Sequence, residues 1–173
     1  MKRSKGQDGI RGGNEVGNND AMRFKGRKEQ GEWAELCFMT RAKGLGMGVL
    51  KPYGDSRLYD VAVEDGGGIL RVQVKCTMYQ RRGSGYSLNI LGPGRKKYPK
   101  GSVDFFAVFI IPIDEWYIIP YSAMRSRRTM HVTPGSKRAP WERYKEAWEL
   151  LRGAPGGLVI QACVDPLFAT AGL

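Results

Sequence analysis

The sequence predicts an α/β domain, a central mixed β-sheet flanked by helices, and three observations carry that expectation. A stretch from Lys28 to Lys43 is free of Gly and Pro beyond Gly31 and rich in Glu, Ala, Leu and Met, as a helix requires. Two segments with period-2 alternation, Tyr59 to Glu64 and Ile69 to Lys75, flank Asp65-Gly66-Gly67-Gly68, the pattern of a β-hairpin. A continuous apolar run, Phe105 to Ile111, reads as a strand buried on both faces.

Taken in order, residues 1–24 are rich in Gly, Asn and basic side chains and nearly devoid of apolar ones. Such a segment cannot bury enough surface to offset its ordering entropy, so a disordered basic tail is expected, with one domain over 25–173. The first helix ends at Gly44, with Gly46 and Gly48 beyond. Val49 and Leu50 form a short strand or connector, and Lys51 to Ser56 turns into the hairpin. Matching apolar to apolar residues across the hairpin sets Tyr59, Val61 and Val63 opposite Val74, Val72 and Leu70. Asp60 then lies opposite Gln73, with Lys75 on the same face. Tyr86, Leu88 and Ile90 alternate with Ser87 and Asn89 in a half-exposed strand. A basic loop from Gly92 to Gly101 follows. Phe105 to Ile111 and Trp116 to Ile119 make a second hairpin around Pro112 to Glu115. Tyr121 to Pro140 reads as loop, Pro140 to Leu151 as a second helix, and Leu158 to Cys163 as a last strand.

The balance of 28 basic and 17 acidic residues, a net charge of +11, points to a polyanionic partner such as nucleic acid. No apolar run is long enough for a membrane span, and the basic N-terminus lacks the apolar core of a secretory signal. Cys37, Cys76 and Cys163 have no CxxC spacing and are expected to be reduced thiols of a cytoplasmic, nucleoid-associated protein. His131 is the only histidine, which excludes mechanisms needing two. Catalysis must therefore run on carboxylates, lysine and a hard metal.

The face holding Asp60, Gln73 and Lys75 is the candidate site. Magnesium takes oxygen ligands and needs only one or two protein carboxylates beside water and phosphate. Asp60 offers one carboxylate and the Gln73 amide oxygen a neutral ligand, while Lys75 can orient water and meet transition-state charge. Glu35 shares a helix face with Phe38, Met39 and Ala42, a lone charge on an apolar stripe. Two readings of it stand open: a salt bridge to a buried cation, or a ligand to the metal of Asp60. A surface ion pair between Asp60 and Lys75 is the plainer alternative for the hairpin cluster.

The succession Gly31-Glu32-Trp33-Ala34-Glu35, then Pro52-Tyr53-Gly54-Asp55-Ser56-Arg57-Leu58-Tyr59-Asp60-Val61-Ala62-Val63, then Arg71-Val72-Gln73-Val74-Lys75-Cys76-Thr77 resembles the PD-(D/E)XK nuclease superfamily. The resemblance is to the QxK branch that includes the cyanobacterial-type group I intron homing endonuclease. It extends through Val103 to Val108, Trp116 to Pro120 and Tyr144 to Trp148, covering about residues 26–151.

What the resemblance implies is a restriction-endonuclease-like core and a Mg²⁺ (or Mn²⁺)-dependent endodeoxyribonuclease. Catalytic roles fall by position on Glu35, Asp60, Gln73 and Lys75, and the metal set on Asp60, Glu35, Gln73 and Val74. Gln73 in place of an acid removes one negative charge, which weakens metal binding unless Glu35 compensates and argues against two metals. Expected DNA contacts are Arg81, Arg82, Arg95, Lys96, Lys97, Lys100, Arg125, Arg127 and Arg128. The partner is double-stranded or branched DNA, and cutting both strands implies a homodimer or homotetramer. The length of the basic C-terminal region favours a site-specific cutter of homing or restriction type over a Holliday-junction-resolvase-like enzyme. A catalytically inert nucleic-acid binder on the same fold and an unrelated basic α/β protein are the remaining readings.

Overall fold

The computed structural model describes residues 24–152, apart from positions 55, 67, 82–84 and 125–126. The expected N-terminal tail, Arg82, Arg125 and the strand at Leu158 to Cys163 lie outside the described residues, as does the side chain of Arg81.

Helix α1 (Arg27–Gly44) buries one stripe, Ala34, Phe38 and Ala42, at the four-residue spacing that stacks side chains on one face. Its C-terminal turn closes when the Leu45 and Gly46 N–H groups donate to the Arg41 and Lys43 carbonyls. Strands β1 (Gly48–Leu50), β2 (Val61–Glu64) and β3 (Ile69–Thr77) follow. The β2–β3 register pairs Val61 with Val72 and Val63 with Leu70, as the apolar alternation requires.

Beyond β3 come β4 (Gln80–Arg81), β5 (Gly85–Asn89), β6 (Phe105–Ile110), β7 (Glu115–Pro120), the short helix α2 (Tyr121–Met124) and β8 (Thr129–Val132). The central sheet runs β1-β2-β3-β6-β7. It is mixed, because β3 and β6 pair in parallel while the other neighbours are antiparallel. Strand β6 is buried along its whole length, as its unbroken apolar run dictates.

One face of this sheet packs Val61, Val63, Val72, Val74 and Phe109 against Phe38 of α1, with Trp116 and Trp148. Trp116 stacks on Phe109 with ring centroids 4.2 Å apart. The other face packs Phe106, Val108, Ile110, Tyr117 and Ile119 under α2 and a second sheet, ordered β4-β5-β8. Gly85 opens β5 with φ of 90°, and a Cβ there would run into the Val132 carbonyl of β8.

On the polar face of the first hairpin Ala62 and Gln73 are buried. Two expectations are corrected. Tyr121 to Pro140 is not all loop, for it holds α2 and β8. Pro140 to Leu151 is not one helix but two 3-10 turns, Glu142–Tyr144 and Trp148–Leu151, broken at Glu146 with φ of 50°. The break has a visible cause. Glu146 leaves the helical path to serve the edge strand β7: its N–H donates to the Trp116 carbonyl and its Oε1 accepts the Trp116 N–H at 2.8 Å. Its Oε2 accepts the Trp148 indole N–H at 2.8 Å. Among the described residues no helix is long and apolar enough to cross a membrane.

Candidate active site

Asp60 stands immediately before β2, where its N–H donates to the Val72 carbonyl at 3.0 Å. That bond continues the hairpin ladder by one residue and sets Asp60 beside Gln73. The Asp60 Oδ2 accepts the Val74 N–H at 2.8 Å and a bond from the Gln73 carboxamide nitrogen. Gln73 Nε2 also lies 3.4 Å from the Val74 carbonyl oxygen. The carboxamide thus holds Asp60 as a donor, and its oxygen is the atom left to face a cation. Asp60 Oδ1 receives no hydrogen bond among the described residues.

Lys75 follows on the same strand face, largely buried. Its ammonium sits 5.6 Å from the centroid of the Tyr98 ring and makes no ion pair with Asp60 within 4.0 Å among the described residues. The surface ion-pair reading therefore does not describe this hairpin. Burial pulls the Lys75 pKa down, opposed by the charges of Asp60, Cys76 and Glu35.

Glu35 reaches the same cleft from α1, and its Oε2 lies 2.5 Å from Lys51 Nζ. Its cation is thus a half-exposed lysine from the turn after β1 and not a buried one. The pair leaves Glu35 near enough to Asp60 for its charge to be felt there. Burial, and next the Glu35 charge, push the Asp60 carboxyl up to about 6, against the Val74 N–H, Lys75 and Gln73, which stabilise the anion. Asp60 and Glu35 thus share one cleft, and ionising Asp60 there costs more than it does in water.

That cleft has a volume of about 1190 Å³ and brings together Glu35, Lys51, Asp60, Gln73, Val74 and Lys75. Arg27, Lys28 and Arg57 also line it. The basic residues expected on DNA sit elsewhere. Arg95, Lys96, Lys97, Lys100, Arg127 and Arg128 are exposed, but none lines the cleft. Arg127 instead lies 5.3 Å from the Trp141 ring centroid. Sequence reasoning missed Lys51 and Arg57, whose signal was their place in the turn leading to Asp60.

A divalent cation fits this donor set. Among the described residues no group of three or more His, Cys, Asp or Glu side chains is placed to hold a metal. Two carboxylates with a carboxamide oxygen and a backbone carbonyl at Val74 are nonetheless what magnesium accepts when water and phosphate complete its shell. The raised Asp60 pKa marks a carboxylate that a cation would relieve.

A family model for PD-(D/E)XK endonucleases matches residues 26–151, which spans α1, the hairpin and the turns that follow β8. The chain belongs to the PD-(D/E)XK endonuclease family. Its structure is similar to that of a bacterial homing endonuclease, I-Ssp6803I, with a TM-score of 0.64 and 26% sequence identity, over 74% of this chain and 92% of that one. It is also similar to Hjc, a Holliday junction resolvase from the archaeal hyperthermophile Archaeoglobus fulgidus, with a TM-score of 0.44 and 14% identity, over 61% and 84% of the two chains. No match is found among curated protein sequences.

In this member of the family the strand that carries Gln73 and Lys75 is braced from both ends. Arg71, two residues before Gln73, forms a bidentate pair with Asp104, at 2.8 Å from Nε to Oδ2 and from Nη2 to Oδ1. Asp104 Oδ2 also accepts the Arg71 N–H, and the Asp104 N–H returns a bond to the Arg71 carbonyl, each at 2.8 Å. The start of β3 is thereby locked to the start of β6. Tyr98 lies buried below Lys75, met edge-on by Phe106 at 5.4 Å. Its carbonyl accepts the Tyr121 O–H at 2.7 Å, so the basic loop is pinned under β3. Cys76 faces the other way, with Sγ 3.7 Å from the Gln30 carbonyl and a thiol pushed up to about 11 by burial, which suits a structural cysteine.

Proposed function

We propose that this protein is a Mg²⁺- or Mn²⁺-dependent endodeoxyribonuclease that cuts double-stranded DNA at a defined site. The observation that supports this reading best is the convergence in one basic-rimmed cleft of Asp60, Gln73 and Lys75 from paired strands and Glu35 from α1. A bound divalent cation would supply charge neutralisation of the scissile phosphate and a water acidic enough to attack it.

The residues themselves do the rest. Asp60 Oδ1, Glu35 and the Gln73 oxygen would hold the cation, together with the Val74 carbonyl. The Val74 N–H and the Gln73 amide keep the Asp60 carboxylate oriented, so little reorganisation is needed when the phosphate arrives. Lys75 presents a desolvated ammonium to the developing phosphorane charge, which such an environment strengthens. Its N–H groups can also orient water by hydrogen bonding. Lys51, Arg57, Arg27 and Lys28 would hold the phosphates flanking the cut. Since one cleft cleaves one strand, a double-strand cutter would need at least a homodimer.

The deciding experiment incubates the purified protein, beside Lys75→Ala, with supercoiled plasmid and a synthetic four-way junction, in Mg²⁺ or in EDTA. Metal-dependent nicking or linearisation that drops at least about 100-fold in the variant is the expected result. Preference for the junction would move the reading to a structure-specific enzyme. Salt-sensitive binding with no cleavage of plasmid or of a genomic DNA library would identify an inert binder.

A further inference from the structure

The outer face of the small sheet is left unused by the catalytic reading. Strands β5 and β8 bury Tyr86, Leu88, Met130 and Val132 against the central sheet. Their alternate residues, Ser87, Asn89, Thr129 and His131, therefore share the opposite face, with Ser87 beside His131 and Asn89 beside Thr129. Every one is a short hydrogen-bonding side chain. Ser87 and Asn89 also line the catalytic cleft. Thr129 and His131 line a second hollow of about 410 Å³, together with Arg127 and Arg138. The face is thus continuous from the catalytic cleft to a basic margin.

We propose that this face reads base edges in the major groove of duplex DNA, with Asn89 and His131 as specificity-determining residues. The proposal rests on the endonuclease reading above and adds how a site would be chosen. The two-residue β4 pairs only with Gly85 and Tyr86, so from Ser87 to Asn89 the face is a two-stranded β5–β8 ribbon, the width that the major groove admits. Arginines at its margin suit the phosphates, which position a protein, while the polar side chains between them suit the bases, which specify it.

The geometry narrows the base class. Asn89 Oδ1 accepts the Leu91 N–H at 2.7 Å, which turns the oxygen to its own backbone and leaves the NH2 group as the end free to meet a base. That end favours an acceptor edge, guanine O6 and N7 or thymine O4, over the paired donor and acceptor of adenine. Ser87 Oγ lies 3.1 Å from His131 Nδ1, which orients the ring and leaves Nε2 for a base.

The test is selection from a randomised duplex library by the full chain in EDTA, with the bound fraction sequenced for wild type, Asn89→Ala and Asn89→Asp. Wild type should enrich a motif with guanine or thymine at the position Asn89 reads. Asn89→Ala should lower discrimination at that position roughly tenfold, and Asn89→Asp should move it towards cytosine or adenine, which present donors. Superimposable motifs in all three proteins, an equal loss on every sequence, or no motif in wild type would overturn the proposal. Plasmid nicking in Mg²⁺ by the same preparations separates the two ideas. Nicking with unchanged motifs sinks the reading face alone, and altered motifs without nicking sink the nuclease alone.

Discussion

Asp60→Asn should make the metal-free protein more stable at neutral pH while destroying its site. In the fold the Asp60 carboxyl titrates at about 6 instead of 3.8, because burial and the Glu35 charge outweigh the bonds from Val74 and Gln73 and the attraction of Lys75. At about 1.36 kcal/mol per pH unit this is a cost of roughly 3 kcal/mol for ionising Asp60 in the native state. Residual solvent screening brings the expected effect to about 2 kcal/mol. The native protein binds the extra proton between pH 4 and 6, so stability falls as pH rises through that interval, and the full cost is present above it. Asparagine escapes the cost, since its oxygen can still accept from the Val74 N–H and the Gln73 amide. Urea melts in EDTA at pH 7.5 should show Asp60→Asn more stable by about 2 kcal/mol, a rise in Tm of about 4–8 °C. At pH 4 the gain should fall to about 0.5 kcal/mol or less. Added Mg²⁺ should stabilise wild type and leave the variant unmoved. A variant no more stable at pH 7.5, or one equally favoured at both pH values, would refute the electrostatic account of the cleft.

Other expectations follow from the same contacts. Glu35→Gln removes the like charge that Asp60 feels, so carboxylate NMR should find the Asp60 titration moved below about 6 in metal-free protein, with Mg²⁺ held more weakly. Phe38→Ala empties the centre of the α1 face, where the ring stacks on Trp148 at 5.4 Å and tilts against Trp116 at 5.7 Å. Denaturant unfolding should register a loss of about 3–5 kcal/mol. Glu146→Gln leaves one acceptor oxygen where two serve the Trp116 N–H and the Trp148 indole, so a loss of about 1–2 kcal/mol should appear in thermal melts.

The hairpin register was legible because apolar residues alternate strictly on both strands, and a one-residue slip would turn Asp60 to the face packed on α1 and Val61 to the face of the cleft. From that register the neighbourhood of Asp60, Gln73 and Lys75 follows directly. Strand β8 was not legible. Only Met130 and Val132 carry its inward face, and flanking arginines and prolines gave the segment the composition of a loop. The 140–151 segment misled for the opposite reason. Its residues have ordinary helix propensity, but the Glu146 carboxylate is claimed by the backbone of β7, a tertiary partner that no local pattern announces. Glu35 stood out as a charge on an apolar stripe, yet its partner Lys51 became visible only when α1 and the turn after β1 came together. Tyr98 beneath Lys75 left no trace in spacing, since a basic loop with one aromatic residue suggests stacking on DNA as readily as anchoring in the core.

The amide at position 73 has a consequence for the order in which the ligands assemble. Glu35 and Asp60 against Lys51 and Lys75 leave the cleft floor without net charge once Asp60 is ionised. A cation arriving alone would find one carboxylate already engaged with Lys51 and the other ionised at a cost. On the proposed reading, DNA would bring phosphate oxygens to complete the cation's shell, and the cation would remove the penalty of placing a phosphate beside two carboxylates. Each ligand would then raise the affinity of the other by the same factor. Metal and substrate would load such a cleft together.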